Sequence, residues 1–303
     1  MNVVQATGLG KRYRSSWALR DCDLAIPKDR VVALVGPNGA GKTTLLHCIV
    51  GLARPTTGTV SVMGRLAAGS PRALDAVSFV AQDAPLYQHL NVERMVELSD
   101  ALNGHFDRPY AIERLDALRI PLDYRVGRLS GGQQAQLALT LALARRPELL
   151  ILDEPLARLD PLARHEFMAT VLAAVAEEGL SVIMSSHVVA ELERVADYLV
   201  IMTDGQIQMA GEIETLLREH AIWYGPSDAR HEVGEQVPVV YADVGSRLSR
   251  LIVRAGPSSA LPAGWEVEPL TVEELVLAYL REPTARALPP RVLVDVGIPQ
   301  EEP

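Results

Sequence analysis

Cysteine is scarce in this chain: two residues in 303, Cys22 and Cys48, neither at metal-ligand spacing. That excludes a disulfide scaffold or a zinc module and leaves two reduced, buried thiols of a cytosolic protein. Long apolar runs are also missing. The most apolar windows, Glu148–Asp153 and Val195–Met202, are short and interrupted by charge, whereas a membrane-crossing helix needs about 20 apolar residues in succession. Residues 1–10 lack the basic-then-apolar layout of a secretory leader, so the expected compartment is the cytoplasm. Basic runs are absent and the formal net charge is -9, which argues against a surface for nucleic-acid phosphates. Neither an internal repeat nor a low-complexity tract is present.

What the chain does have is 48% hydrophobic and 22% charged residues, enough for one full-sized core and a smaller second one. Residues 2–26 alternate as in a half-exposed antiparallel sheet. Val31–Val35 is wholly apolar and β-branched, the pattern of a buried parallel strand. A helix is expected over 41–50, with strands over 59–63 and 76–80. From about 85 to 146 the apolar residues recur at helical spacing, with Val92, Met95, Val96 and Leu98 on one face and Ile112, Leu115 and Leu118 on another. Strands return at 149–152, 181–185 and 198–202, separated by helices expected over 161–178 and 188–196. Alternation of this kind is α/β, with a helical block inserted between two sheet strands.

Past 220 the pattern changes again. Short strands are expected over 237–241 and 251–253, and Thr271-Val272-Glu273-Glu274 is a capping box opening an amphipathic helix. Residues 221–282 therefore read as a small α+β appendage. Residues 283–303, with five prolines and an acidic end, read as a loosely ordered tail.

Three segments carry chemistry. Gly36-Pro37-Asn38-Gly39-Ala40-Gly41-Lys42-Thr43-Thr44 fits G-x-x-x-x-G-K-[ST] between a buried strand and a helix. Small side chains let the backbone N–H groups converge on a phosphate, and the helix N-terminus adds partial positive charge. Lys42 would bridge β- and γ-phosphates, and the Thr43 hydroxyl would ligate Mg²⁺. The strand 149–152 ends in Asp153-Glu154. Alone, acids before Pro155 also read as a turn. Beside the glycine loop, Asp153 suits Mg²⁺ and Glu154 suits activation of a water for in-line attack. Leu129-Ser130-Gly131-Gly132-Gln133 offers a second phosphate-binding helix start, for which a chain with its own glycine loop has no obvious need.

The last segment resembles, at every position, the signature of ABC ATPases. The resemblance covers roughly residues 1–220, with further elements in order. Tyr13 stands where that family stacks an aromatic on adenine, although an edge-strand tyrosine explains it too. Gln82 matches the glutamine that senses the γ-phosphate through Mg²⁺, Leu159-Asp160-Pro161 the loop crossing the dimer interface, and His187 the switch histidine. One position departs from the pattern: the helix after the signature reads Gln134-Ala135-Gln136, without the arginine common there.

The resemblance implies an α/β P-loop NTPase fold: an ABC ATPase core with a mostly parallel sheet, an antiparallel β subdomain and a helical subdomain. It implies ATP and Mg²⁺ as cofactors, Glu154 and His187 as catalytic residues, and Tyr13, Gly36, Asn38, Gly39, Gly41, Lys42, Thr43, Thr44 and Gln82 on the nucleotide. Ser130, Gly131, Gly132, Gln133 and Asp160 would complete the site of a second subunit, identical or not. Thr43, Gln82 and Asp153 would face the metal. The implied activity is hydrolysis of ATP to ADP and phosphate, coupled to a separate membrane permease at the inner face of the cell membrane. Leu270–Leu277 resembles the C-terminal region of cassettes paired with drug- or polyketide-export permeases, so export is the expected direction. A soluble or non-exporting ABC ATPase, acting in membrane-complex remodelling, translation or repair, is the alternative.

Overall fold

The computed structural model describes residues 1–64, 66–82, 86–228, 233, 236–256 and 259–285. Residues 83–85, directly after Gln82, and most of the expected tail, 286–303, lie outside the described residues.

Two long strands, β1 (Asn2–Tyr13) and β2 (Ser16–Pro27), form a hairpin. With β4 (Thr57–Val62) and β5 (Leu66–Ala67) they make an antiparallel sheet ordered β2-β1-β4-β5. The central sheet is built from β3 (Val31–Val35), β6 (Val77–Val80), β7 (Leu149–Leu152), β8 (Ser181–Ser186), β9 (Tyr198–Thr203) and β10 (Gln206–Glu212), in the order β10-β9-β3-β8-β7-β6. Its pairings are parallel except at the β9–β10 edge.

Every residue of β3, β7, β8 and β9 is buried, as expected for strands covered on both faces. Period-two geometry sorts their side chains. Val31, Ala33, Val35, Leu150, Leu152, Val182 and Met184 enter one core with Leu139, Leu143, Phe167 and Val171. Val32, Leu34, Leu149, Ile151 and Ile183 enter another with Leu45, Leu46, Ile49 and the apolar face of the antiparallel sheet. Each fully buried Val, Leu or Ile contributes about 1.5–3 kcal/mol relative to exposure, so these two layers fix the sheet in place.

Helix α1 (Lys42–Ile49) follows β3 and α2 (Pro71–Ala76) precedes β6. Then come α3 (Val92–Leu102), α4 (Arg108–Ala117) and α5 (Gly131–Leu143), which enclose a core of their own from Val92, Met95, Val96, Leu115, Ile120 and Leu137. Helix α6 (Pro161–Glu178) has the expected bounds. The helix expected over 188–196 is only one turn, α7 (Val189–Leu192). Val188 at its N-terminus has no side-chain oxygen to cap it, and β-branched residues start a helix poorly.

Helix α8 (Ile213–Glu219) leads to the antiparallel sheet of β11 (Ala221–Pro226), β12 (Val239–Val244), β13 (Leu248–Val253) and β14 (Glu266–Glu268), ordered β12-β13-β11-β14. Helix α9 (Val272–Arg281) starts with the expected capping box between Thr271 and Glu274. Its Leu275, Val276 and Tyr279 share one core with Leu192, Leu199, Ile201, Met209 and Leu216 of the preceding elements. A separate cluster, Trp223, Val233, Val237, Leu251, Val253 and Trp265, includes side chains from β11 and β13.

Both cysteines are buried. Burial pushes the Cys22 thiol up to about 11 and the Cys48 thiol above its usual range, so neither forms thiolate readily.

Candidate functional site

The glycine loop spans the step from β3 to α1, and its glycines have steric work. A Cβ at Gly36 would lie 2.3 Å from the Met202 carbonyl oxygen of the neighbouring strand. Gly41 has φ +103, and a Cβ there would sit 2.6 Å from the Ala18 carbonyl oxygen of the β1–β2 hairpin. The loop is thus pressed between β9 and the hairpin. Asn38 and Gly39 remain exposed, and Thr43 stands exposed on the first turn of α1.

Lys42 folds back over this loop. Its Nζ donates to the carbonyl oxygens of Gly36 at 2.8 Å and Pro37 at 3.4 Å, and lies 3.2 Å from Glu154 Oε1. Glu154 begins the turn after β7 in the left-handed region, with φ 49, a conformation that costs a non-glycine residue roughly 1–2 kcal/mol. That backbone carries its carboxylate across to Lys42 and to His187, whose Nδ1 is 2.6 Å from Glu154 Oε2. A carboxylate only accepts hydrogen bonds, so the His187 Nδ1 bears the hydrogen. Asp153 is buried one residue earlier, and its Oδ1 accepts the Ser185 hydroxyl at 2.6 Å.

A cleft of about 490 Å³ results, lined by Ala18, the loop from Pro37 to Thr44, Gln82, Glu154 and His187. One side offers an ammonium and a helix start, the other a carboxylate fixed at both oxygens. That is the arrangement for an anionic substrate attacked by water. Ala18, from the β1–β2 hairpin, had no sequence signal as a site residue; Pro37 and Ala40 fall within the glycine-loop motif without being assigned a role of their own.

Other singled-out residues lie elsewhere. Tyr13 is exposed at the hairpin end, with the Lys11 ammonium 5.0 Å from its ring centroid, and does not line the cleft. Ser130 caps α5, its hydroxyl accepting the Gln133 N–H while Gln133 Oε1 accepts the Ser130 N–H. Asp160 caps α6 by accepting the Ala163 N–H at 2.9 Å. A Cβ on Gly132 would lie 2.9 Å from Ala163 Cβ, so the two capped helix starts abut. Ser130, Gly131 and Asp160 are exposed, and none of 130–133 or 160 lines the cleft. Where the expected arginine is missing, Gln136 is buried and accepts from Thr170 Oγ1 at 3.4 Å. Its Nε2 is buried without a hydrogen-bond partner among the described residues.

A family model described as ABC transporter matches residues 19–157. The molybdenum import ATP-binding protein ModC of Paramagnetospirillum magneticum is 30% identical over 286 residues, 88% of this chain and 78% of that one. The Fe(3+) ions import ATP-binding protein FbpC of Pseudomonas fluorescens is 35% identical over 222 residues, 70% of this chain and 62% of its own length. The solved dimeric structure of MJ0796, a bacterial ABC transporter cassette, is 25% identical with a TM-score of 0.62, covering 69% of this chain and 98% of that one. The fold is therefore that of the ABC ATPases.

These likenesses give the expected export direction no support, since both named relatives are import proteins. The structure supplies the physical reason. Leu270, Val272, Leu275 and Val276, which suggested an export-type region, are buried packing positions of α9 and its approach. Their pattern reports a core and says nothing of transport.

Proposed function

From the premise that this chain belongs to the ATP-binding proteins of ABC transporters, ATPases coupled to transport, we propose that it hydrolyses ATP as a dimer and drives solute uptake through a separate membrane permease. One observation carries the reading. Lys42, Gln82, Glu154 and His187 meet in one cleft, while Ser130 and Asp160 cap two abutting helices outside it. A phosphate-binding helix start left outside its own chain's cleft is complementary to the cleft of a second copy. Both halves being present in one chain favours a homodimer, as does the likeness to a dimeric cassette.

In this reading Lys42 and the loop N–H groups hold the phosphates, and Tyr13 flanks the adenine. Glu154 takes a proton from the water that attacks the γ-phosphorus, with His187 orienting its carboxylate. Ser130 and the N–H groups of Gly131, Gly132 and Gln133 close on the same phosphate from the other subunit. Thr43, Gln82 and Asp153 present only oxygen donors, the chemistry that suits Mg²⁺. Among the described residues, no group of three or more His, Cys, Asp or Glu is arranged so that it could hold a metal ion by itself. That fits a cation held chiefly through substrate phosphates and water, where it would neutralise charge during transfer.

No helix among the described residues is long and apolar enough to cross a membrane, so the cassette would sit at the inner face through its permease. Inward transport follows the named relatives, whose solutes differ; the permease, not this chain, would select the solute.

The test is a pull-down from detergent-solubilised membranes of the native host with tagged Glu154→Gln, which should hold ATP without turning it over. A multi-span membrane protein in stoichiometric amount is the expected result. Soluble proteins alone, or unchanged ATP turnover in that variant, would sink the proposal.

A further inference from the structure

Ser185 occupies an unusual place in β8. It is fully buried, in a strand whose residues 182–184 are all apolar. Its hydroxyl group makes two hydrogen bonds, both to the end of β7. The O–H donates to Asp153 Oδ1 at 2.6 Å, and the oxygen accepts the Glu154 backbone N–H at 2.8 Å. The two bonds have fixed directions, because a carboxylate can only accept and a backbone N–H can only donate.

Each bond answers a specific problem. Asp153 is 2% exposed, and a buried carboxylate oxygen left without a donor keeps its full desolvation cost. Satisfying Oδ1 from behind also fixes rotation of the carboxylate, so that its other oxygen has one direction to face. Glu154 has a left-handed backbone at φ 49, which the chain leaves unless something holds it. The Ser185 oxygen holds its N–H, and from that backbone the Glu154 carboxylate reaches Lys42 at 3.2 Å and His187 at 2.6 Å. Parallel pairing of β7 with β8, with Leu152 opposite Met184, places Ser185 one step beyond the last β7 pair and level with Asp153.

We propose that Ser185 is a positioning residue that aligns Asp153 toward the metal and Glu154 toward the attacking water. This rests on the ATPase reading above and adds to it a residue that touches neither substrate nor metal. A serine that only filled space would be replaceable by alanine, which differs by one buried atom. A serine that positions both acids would not be.

The experiment compares wild type, Ser185→Ala and Ser185→Thr, the last keeping the hydroxyl. Three readouts are taken: ATP turnover, ATP binding in EDTA, and Mn²⁺ binding to the protein–ATP complex by electron paramagnetic resonance in a Glu154→Gln background. The alanine variant should lose at least tenfold in kcat and weaken Mn²⁺ binding severalfold. Its metal-free ATP affinity should stay within twofold of wild type, and threonine should restore both losses in part. A parallel fall in metal-free ATP binding and Mn²⁺ binding means general loosening and overturns the proposal, as does an alanine variant with unchanged kcat and Mn²⁺ affinity. If alanine fails to fold, protection of the Glu154 amide from hydrogen exchange in Ser185→Thr decides: wild-type protection supports the bond and its loss overturns it. Wild-type protein that turns over no ATP would fail at the level of the ATPase reading, a result separable from all of these.

Discussion

Lys42 Nζ and Glu154 Oε1 are 3.2 Å apart, and the two side chains are 6% and 9% exposed. Each therefore neutralises the other in a setting where a lone charge is costly. In the proposed mechanism a phosphate competing for Lys42 would draw that ammonium away from Glu154 and leave the carboxylate to His187 and to water. Substrate binding and release of the proposed base would then be one event.

The pair predicts non-additive stability. Lys42→Met strands a buried carboxylate and should destabilise the nucleotide-free protein by about 3 kcal/mol. Glu154→Gln alone should cost less, because Lys42 keeps the Gly36 and Pro37 carbonyls. The double variant should recover most of the Lys42→Met loss in urea unfolding. Additive losses would mean the two charges are solvated separately.

A second prediction concerns His220. It is buried, with Nδ1 2.7 Å from the Leu216 carbonyl oxygen and Nε2 2.8 Å from the Tyr279 hydroxyl. The carbonyl can only accept, so Nδ1 carries the hydrogen and Tyr279 donates to Nε2. Burial lowers the His220 pKa, and it pushes Tyr279 up to about 12. With the folded value below the unfolded one, the unfolded chain binds the extra proton first. The contribution is fully present above the unfolded value of roughly 6.5 and is lost as pH falls through the lowered folded value. Melting at pH 7.5 and pH 5 should therefore differ more for wild type than for His220→Gln. An equal pH dependence in both would remove His220 from the account.

The third prediction tests whether the appendage is an independent unit. Leu275, Val276 and Tyr279 of α9 are at most 1% exposed, in one core with Leu199, Ile201 and Met209 of the central sheet. Leu275→Ala should cost about 2–5 kcal/mol and lower the melting of the whole chain in a single transition. Two resolved transitions, with the nucleotide-binding one unmoved, would contradict a shared core.

The central strands β3, β7, β8 and β9 were legible because each is a short, mainly apolar run, buried throughout, that breaks off at glycine, acids or polar residues. Helix α6 was legible to its ends from Asp160-Pro161 at one side and Gly179 at the other, a capping acid and a left-handed glycine. Strand β10 was not, because Gln208 is buried within it and breaks the apolar run, its partners being Thr203 and the backbone after α9. Strands β11 and β14 were missed too, one opening directly after α8 and the other only three residues long. Of the site, the glycine loop and the acids announced themselves by type and spacing. Ser185 did not: a serine in a strand names no partner until the neighbouring strand is known. That Ser130 and Asp160 lie outside the cleft containing Lys42 was legible only through the family resemblance, not from the residue types themselves.

Gln208 has a wider consequence. Its Nε2 donates to the Glu282 and Ala285 carbonyl oxygens at 3.2 and 3.4 Å, so chain beyond α9 is stitched to the edge strand of the catalytic sheet. A cassette built this way resists being recombined from parts. Exchanging residues 221–285 for the extension of another cassette would leave Gln208 facing foreign backbone and the core of Leu199 and Met209 facing foreign side chains. Chimeras should succeed only when the donor's β9 and β10 travel with the graft.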